Sequence, residues 1–171
     1  MKTLNIKKLS QDATIPTYGS EKAACFDIYS SKDTNWKVSK LNNEIGDPGN
    51  LPDNIIHAGR ATYFIETTVH TGLAVQTPEN YRLDIYPRSG WGFKHNIQLG
   101  NGTGKIDEDY RGEVMIKLIG FISNLSDLPS IKKGTRIAQG ELNPVHRTIF
   151  SVQEDLTETK RGSNGLGSTG Y

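Results

Sequence analysis

The sequence predicts an all-β domain of antiparallel strands arranged as a barrel or jelly roll. Three observations carry that expectation. Short runs alternate apolar with polar residues, as Val114, Ile116 and Leu118 do against Met115 and Lys117. Turn residues separate the runs, and 18 of the 171 residues are glycine. No window carries a long helical period with caps at its ends.

The elements follow in order. Leu4 to Ile6 reads as a first strand, and residues 16–22 as a loop. Phe26, Ile28 and Ser30 alternate with Asp27 and Tyr29, which gives a second strand carrying a carboxylate. Composition shifts over residues 33–60, where Trp36 to Val38 can be a strand and Asn42 to Asp53 is rich in turn residues. This stretch reads as an inserted surface loop, either a partner surface or a decorated loop with no partner. Strands resume at residues 61–68 and 72–76. In residues 81–86, Tyr81, Leu83 and Ile85 share one face, and Pro87 ends that strand. Ser89 is expected to cap a single helical turn reaching Lys94. Asn96 to Leu99 and Val114 to Leu118 read as hairpin partners about a tip at Gly100 to Gly104. Residues 124–134 read as a loop, residues 136–142 as a strand, and residues 161–171 as a polar glycine-serine tail.

Composition bounds the function. Hydrophobic residues make up 35% of the chain, which suits a single loop-rich domain that completes its core by oligomerising. The net charge of +1 gives no overall pull toward nucleic acid or membrane, so phosphate binding must come from local clusters. Cys25 is the only cysteine, which excludes an intrachain disulfide and a zinc cluster of cysteines. The opening MKTLNIKKLS lacks the apolar core of a signal peptide, and no later run is long enough to span a bilayer. A cytoplasmic or other intracellular setting is expected.

The chemistry concentrates in residues 87–113. Arg88 offers a planar fork, and Ser89 and Gly90 offer a hydroxyl and open backbone N–H groups, the parts of a phosphate seat. The tripeptide alone is common. The glycine-rich tip with Asn101 lets a flat base approach backbone donors and acceptors closely, as uracil requires. Asp107 can order a water for attack on phosphorus, and the Tyr110 ring can lie flat against a sugar. Arg111 and Glu113 are expected to pair with other charges. In the tail, Arg161 is a second fork, and Ser168, Thr169 and glycine N–H groups form a candidate anion nest.

Taken together these motifs resemble those of the homotrimeric dUTPases. That family carries five ordered motifs, and candidates for all five stand here in the same order. They are Ala24 to Ile28, Arg88 to Lys94, Asn101 to Glu113, Arg136 to Gln139, and Arg161 to Gly170. Three positions depart: Cys25 and Asn164 stand where glycine is usual, and Leu166 replaces the phenylalanine that covers uracil. The segment between the first two motifs is also longer than usual.

The resemblance implies a jelly-roll-like β-clip barrel over residues 1–160, with a flexible arm at 161–171 closing over the active site. It implies hydrolysis of dUTP to dUMP and pyrophosphate, which limits uracil in DNA and supplies dUMP for dTMP synthesis. It implies a homotrimer with shared active sites. Asp107 would be the catalytic base. Substrate would be held by Arg88, Ser89, Gly90, Asn101, Gly104, Ile106, Tyr110, Gln139, Arg161, Gly165, Leu166, Gly167, Ser168 and Thr169. Mg2+ would ride on the substrate phosphates, with Asp27 reaching it only through water. Two other readings stand beside this one: a dCTP deaminase-like enzyme of the same fold, and a regulatory protein acting through residues 33–60.

Overall fold

The computed structural model describes residues 2–41 and 62–165 of the chain. The regular elements are β1 (Asn5–Lys8), β2 (Thr17–Tyr18), β3 (Phe26–Tyr29), β4 (Lys37–Leu41), β5 (Thr62–Gln76), β6 (Tyr81–Tyr86), α1 (Ser89–His95), β7 (Ile97–Leu99), β8 (Gly104–Ile106), β9 (Glu113–Ile122) and β10 (Arg136–Pro144). They build two five-stranded sheets. One runs β1-β5-β9-β7 with β4 also on β5; the other runs β2-β3-β10-β6-β8. All pairings are antiparallel. The two sheets stay distinct, so the architecture is jelly-roll-like without one continuous closed barrel.

The core lies between the sheets. Strand β9 alternates as its sequence requires, with Val114, Ile116, Leu118 and Ile122 buried and Met115 and Phe121 exposed. Ile65 and Val69 of β5 join it from the same sheet, and Leu83, Ile85, Ile137 and Ala138 from the other. Each such valine, leucine or isoleucine side chain stabilises the fold by roughly 1.5–3 kcal/mol on burial.

Several expectations need correction. The runs expected at 61–68 and 72–76 are not two strands: from Thr62, the first described residue there, to Gln76 the chain forms one strand, β5, because a bulge and not a turn interrupts it. Its register against β9 shifts between His70 and Ala74. Gly72 sits at that bulge with φ +66°, and a Cβ there would lie 3.0 Å from the Cβ of Ala13. The strand read at residues 36–38 is present but shifted and longer, as β4 at Lys37–Leu41. Thr34 bridges to Ile131, and β4 pairs along β5 from Lys37↔Glu66 to Leu41↔Thr62. Residues 42–60 lie outside the described residues. The loop after β9 contains a 3-10 turn at Leu125–Asp127 and sends Ile131 into the core.

The glycine-rich tip is also not the tip of one hairpin. Strand β7 does pair with β9, Leu99 opposite Leu118, but β8 pairs with β6 in the second sheet. The turn therefore hands the chain from one sheet to the other. Nor does Ser89 cap α1. Arg88 is the N-cap residue, in extended conformation, and the side chain at the cap makes no capping bond.

Strand β6 is buried on both faces at its centre, where an alternating strand would expose Asp84. The reason is a set of donors. Arg82 reaches Asp84 with Nε at 2.8 Å and Nη2 at 3.1 Å, Asn143 Nδ2 at 3.0 Å and Lys105 Nζ at 3.4 Å. Burial pushes the Asp84 carboxyl up, but the bonds from Arg82, Asn143 and Lys105 outweigh it and hold the group below its ordinary value of 3.8. Beyond β10, residues 145–165 form no further strand or helix, and Ile149, Phe150, Val152 and Leu156 stand almost fully exposed.

Asp84→Asn should destabilise the protein by about 1.5 kcal/mol at pH 7, because Arg82, Lys105 and Asn143 lose a charged acceptor while both cations stay within reach of water. A depressed pKa gives stability that is present above the unfolded value and lost as pH falls through the folded one. The gap between wild type and variant should thus be constant near neutrality and narrow below pH 3.8. Urea unfolding at fixed protein concentration across pH checks this; a gap independent of pH contradicts it.

Candidate active site

The cationic part of the site is assembled around one carboxylate. Asp27, on β3, is 9% exposed. Its Oδ1 accepts from Arg88 Nε at 3.0 Å and its Oδ2 from Arg136 Nη1 at 3.3 Å. Arg88 follows the end of β6, and Arg136 opens β10. Gln139 lies between them, opposite Asp27 on one side and Tyr86 on the other, and its Nε2 donates to the Pro87 carbonyl at 3.0 Å. The buried Trp91 ties α1 down by donating from Nε1 to the Arg136 carbonyl at 2.9 Å. Ser89 and Gly90 are exposed, and a Cβ on Gly90 would meet nothing within 4 Å. The first, second and fourth motifs thus converge on two guanidinium groups, a hydroxyl and open backbone. Arg136 was marked in the sequence only as the start of a motif. Its bond to Asp27 depends on strand pairing across more than a hundred residues, which no local pattern reports.

The third motif stands apart. Asn101 is exposed at the turn between β7 and β8, and Gly102 has φ +70°. Gly104 is buried, where a Cβ would lie 3.2 Å from the Cβ of Ile85, and Ile106 is half-buried opposite Leu83. Asp107 is exposed and starts a turn closed by Tyr110 N to its carbonyl at 3.2 Å. Arg111 Nη1 steadies that turn by donating to the carbonyls of Glu108 at 2.6 Å and Tyr110 at 2.8 Å. Asp107 lines a cleft of about 590 Å³ together with Glu108, Arg82, Arg111 and Arg147. The Tyr110 hydroxyl donates to the Glu113 carbonyl at 3.0 Å. Glu113 pairs with His70 Nδ1 at 2.8 Å and accepts the Gly72 N–H at 2.8 Å. Burial pushes the Glu113 carboxyl up, and these two bonds more than reverse it, leaving the group below the usual carboxylate range.

Strand register measures the gap between these parts. Ile85 faces Gly104 and Leu83 faces Ile106, so Asp107 continues toward the Arg82 end of β6. Arg88 lies past the other end. Six residue steps lead from position 82 to position 88, about 20 Å at the usual rise per residue.

The tail motif is divided. Arg161 is exposed and bonds within its own segment, Nε to the Asn164 carbonyl at 2.9 Å and Nη2 to that of Gly165 at 3.4 Å. Leu166, Gly167, Ser168 and Thr169 lie outside the described residues. Cys25, two positions before Asp27, is half-buried, and burial with the nearby Glu141 pushes its thiol up. Among the described residues, no group of three or more His, Cys, Asp or Glu can hold a metal ion. Both oxygens of Asp27 already face guanidinium groups. This donor set fits a metal carried on a ligand's phosphates, with Asp27 at most behind a water.

The dUTPase family model matches residues 58–170. The chain belongs to the dUTPase family. The deoxyuridine 5'-triphosphate nucleotidohydrolase of Nautilia profundicola is 38% identical over 98% of each chain. That of Zymomonas mobilis is also 38% identical, over 98% of this chain and 97% of its own. Among solved structures, a dUTPase from the phage 80alpha superposes with a TM-score of 0.72 at 24% identity, over 97% of this chain and 98% of that one. The dUTPase of Staphylococcus bacteriophage 80alpha with dUpNHpp has a TM-score of 0.69 at 23% identity, with both chains fully covered. A dUTPase of phage phi11 of S. aureus, described with a structural Mg(II) ion, has a TM-score of 0.66 at 20% identity, over 91% of this chain and 99% of its own. At these identities the solved structures support the fold alone.

Within this dUTPase, Asp27 aims two cations. Asp27→Asn should weaken binding of inorganic pyrophosphate by about tenfold, the low end for hydrogen bonds involving a charged group. Isothermal titration measures it. Unchanged or tighter binding would mean that the carboxylate merely neutralises Arg88 and Arg136.

Proposed function

We propose that the protein is a dUTP diphosphatase, hydrolysing dUTP to dUMP and pyrophosphate inside the cell. The observation that carries this reading is the placement of two unlike groups along one strand. A cationic cluster suited to a triphosphate stands past one end of β6, and the exposed carboxylate of Asp107 stands by the other. Membership in the dUTPase family and relatives that act on deoxyuridine triphosphate supply the substrate.

Arg88, Ser89, Gly90 and Gln139 hold the phosphates, and Gln139 also braces the turn that carries Arg88 by its bond to the Pro87 carbonyl. Arg161 joins them when the arm, residues 161–171, closes over the β domain of residues 1–160. Gly165, Leu166 and Gly167 then cover the base, and Ser168 and Thr169 meet the terminal phosphate. Asn101, Gly104 and Ile106 frame uracil with backbone donors and acceptors, and Tyr110 packs on deoxyribose, leaving no room for a 2′-hydroxyl. Asp107 takes a proton from water. The water oxygen bonds to the α-phosphorus, and the bond from that phosphorus to the bridging oxygen breaks, releasing pyrophosphate. Mg2+, when bound on the triphosphate oxygens, supplies charge neutralisation.

A span of about 20 Å along β6 is too long for Asp107 and Arg88 of one chain to flank the same α-phosphate. This span favours a site shared between copies, and the family resemblance makes the assembly a homotrimer. The exposed Ile149, Phe150, Val152 and Leu156 are further support, since burial against a neighbour removes them from water.

Pyrophosphate release measured over dUTP, dCTP, dTTP and UTP with magnesium tests the assignment. Turnover of dUTP alone is the expected result. Ammonia release from dCTP would favour the deaminase reading. A regulatory role through residues 33–60 would show as partner binding that survives loss of turnover.

Asp107→Asn should lower kcat at least about 100-fold, the effect of losing a general base, while a non-hydrolysable dUTP analogue binds nearly as before. Near-normal turnover would remove Asp107 from that role. Deleting residues 161–171 should leave the oligomer folded, because Arg161 and its neighbours are exposed and bond among themselves, and should sharply reduce turnover. Size-exclusion chromatography and the pyrophosphate assay together decide it; full activity would make the tail a mere terminus.

A further inference from the structure

The third motif ends in three residues whose arrangement goes beyond the roles assigned above. The Tyr110 ring folds back over Gly112. A Cβ built on Gly112 would overlap the Tyr110 hydroxyl and lie 2.6 Å from its Cζ and 3.0 Å from its Cε2. No alanine fits there while the ring stays in place. The hydroxyl is tied to the Glu113 carbonyl at 3.0 Å. Arg111 holds the Tyr110 carbonyl from the other side of the turn. One side of the ring is thus occupied by the protein, yet Tyr110 remains 41% exposed.

Glu113 is in turn fastened to the bulge of β5. Its two carboxylate oxygens take the Gly72 N–H and the His70 ring nitrogen, both at 2.8 Å. His70 is itself fixed, its carbonyl accepting the Ser31 N–H at 2.9 Å and the Ser31 hydroxyl at 3.0 Å. The contacts run from a bulge in one sheet to the Glu113 carboxylate, and from the Glu113 main-chain carbonyl to an aromatic ring on a loop. Their effect is to remove the freedom of a half-exposed tyrosine whose backbone lies in a turn. The stiffness has a use only if the ring must refuse something.

We propose that Gly112 and Glu113 are positioning residues for sugar selectivity. Gly112 provides the space into which the Tyr110 ring folds, and Glu113, anchored on His70 and Gly72, fixes the depth of the ring. A ring held back at this depth admits a deoxyribose. A ring displaced from Gly112 no longer presents the same wall, and a ribose gains room. The inference rests on the reading of Tyr110 as the deoxyribose contact.

The test compares kcat/KM for dUTP over UTP in the full-length protein and in Gly112→Ala, Tyr110→Ala, the double variant and Glu113→Ala. Gly112→Ala should lower the ratio by about tenfold, as expected for one small group in a packed pocket. The double variant should be no less selective than Tyr110→Ala alone, because both changes act through one ring. Glu113→Ala, which adds no bulk, should lower the ratio by roughly threefold and decides the matter if Gly112→Ala does not fold. If Tyr110→Ala leaves the ratio unchanged, the sugar reading of Tyr110 fails and this inference with it. If Tyr110→Ala lowers the ratio but Gly112→Ala and Glu113→Ala do not, or if the effects of Gly112→Ala and Tyr110→Ala simply add, the positioning role alone is overturned. No turnover of dUTP by the unmodified protein would instead overturn the proposed activity.

Discussion

The buried charge of Asp84 is the constraint on which the second sheet depends. A carboxylate at 2% exposure is tolerable only if donors surround it, and those donors come from three strands. Arg82 shares β6 with it, Lys105 sits on β8 and Asn143 on β10. The strand that leads into Arg88, the strand that leads into Asp107 and the strand that carries Gln139 are therefore locked to one another through a single group. A slip of β8 by one residue would turn Lys105 away and bury it on the opposite face. The interaction specifies register as much as it stabilises.

Much of this architecture is legible in the residues. The alternation in β9 and the proline after β6 gave the right elements, because each is a local consequence of burial on one face or of a missing N–H. What was not legible required knowledge of partners. Asp84 breaks the alternation of β6 by being buried, and only the third dimension brings Lys105 and Asn143 to it. The split between 61–68 and 72–76 dissolved because Gly72 serves a bulge as readily as a turn. The pairing of β7 with β9 was correct, yet the loop between them also donates β8 to the other sheet.

The site shows the same division. Residue types announced the chemistry: a fork, a hydroxyl, an isolated carboxylate and an aromatic ring, in the order typical of one family. Their distances were not in the string. The second guanidinium on Asp27 comes from β10, and the approach of Asp107 to the Arg82 end of β6 follows from register. Ser89 is expected as a cap, yet Arg88 occupies the cap position and the Ser89 hydroxyl has no partner among the described residues. The buried Trp91 holds α1 to β10, so that indole is committed to scaffolding.

The hairpin formed by β4 and β5 has a consequence for how such a chain can diversify. Leu41 pairs directly with Thr62, so the stretch between them enters and leaves at one closed rung. Above that rung, its length is decoupled from the registers below. A one-residue change within β5, by contrast, would disturb its pairings with β1, β4 and β9 together. A change of length between positions 41 and 62 that keeps this rung leaves the pairings of β5 with β1, β4 and β9 in place. The rung is a natural graft point, where a binding epitope or a reporter segment can be exchanged while the rest of the molecule folds as before.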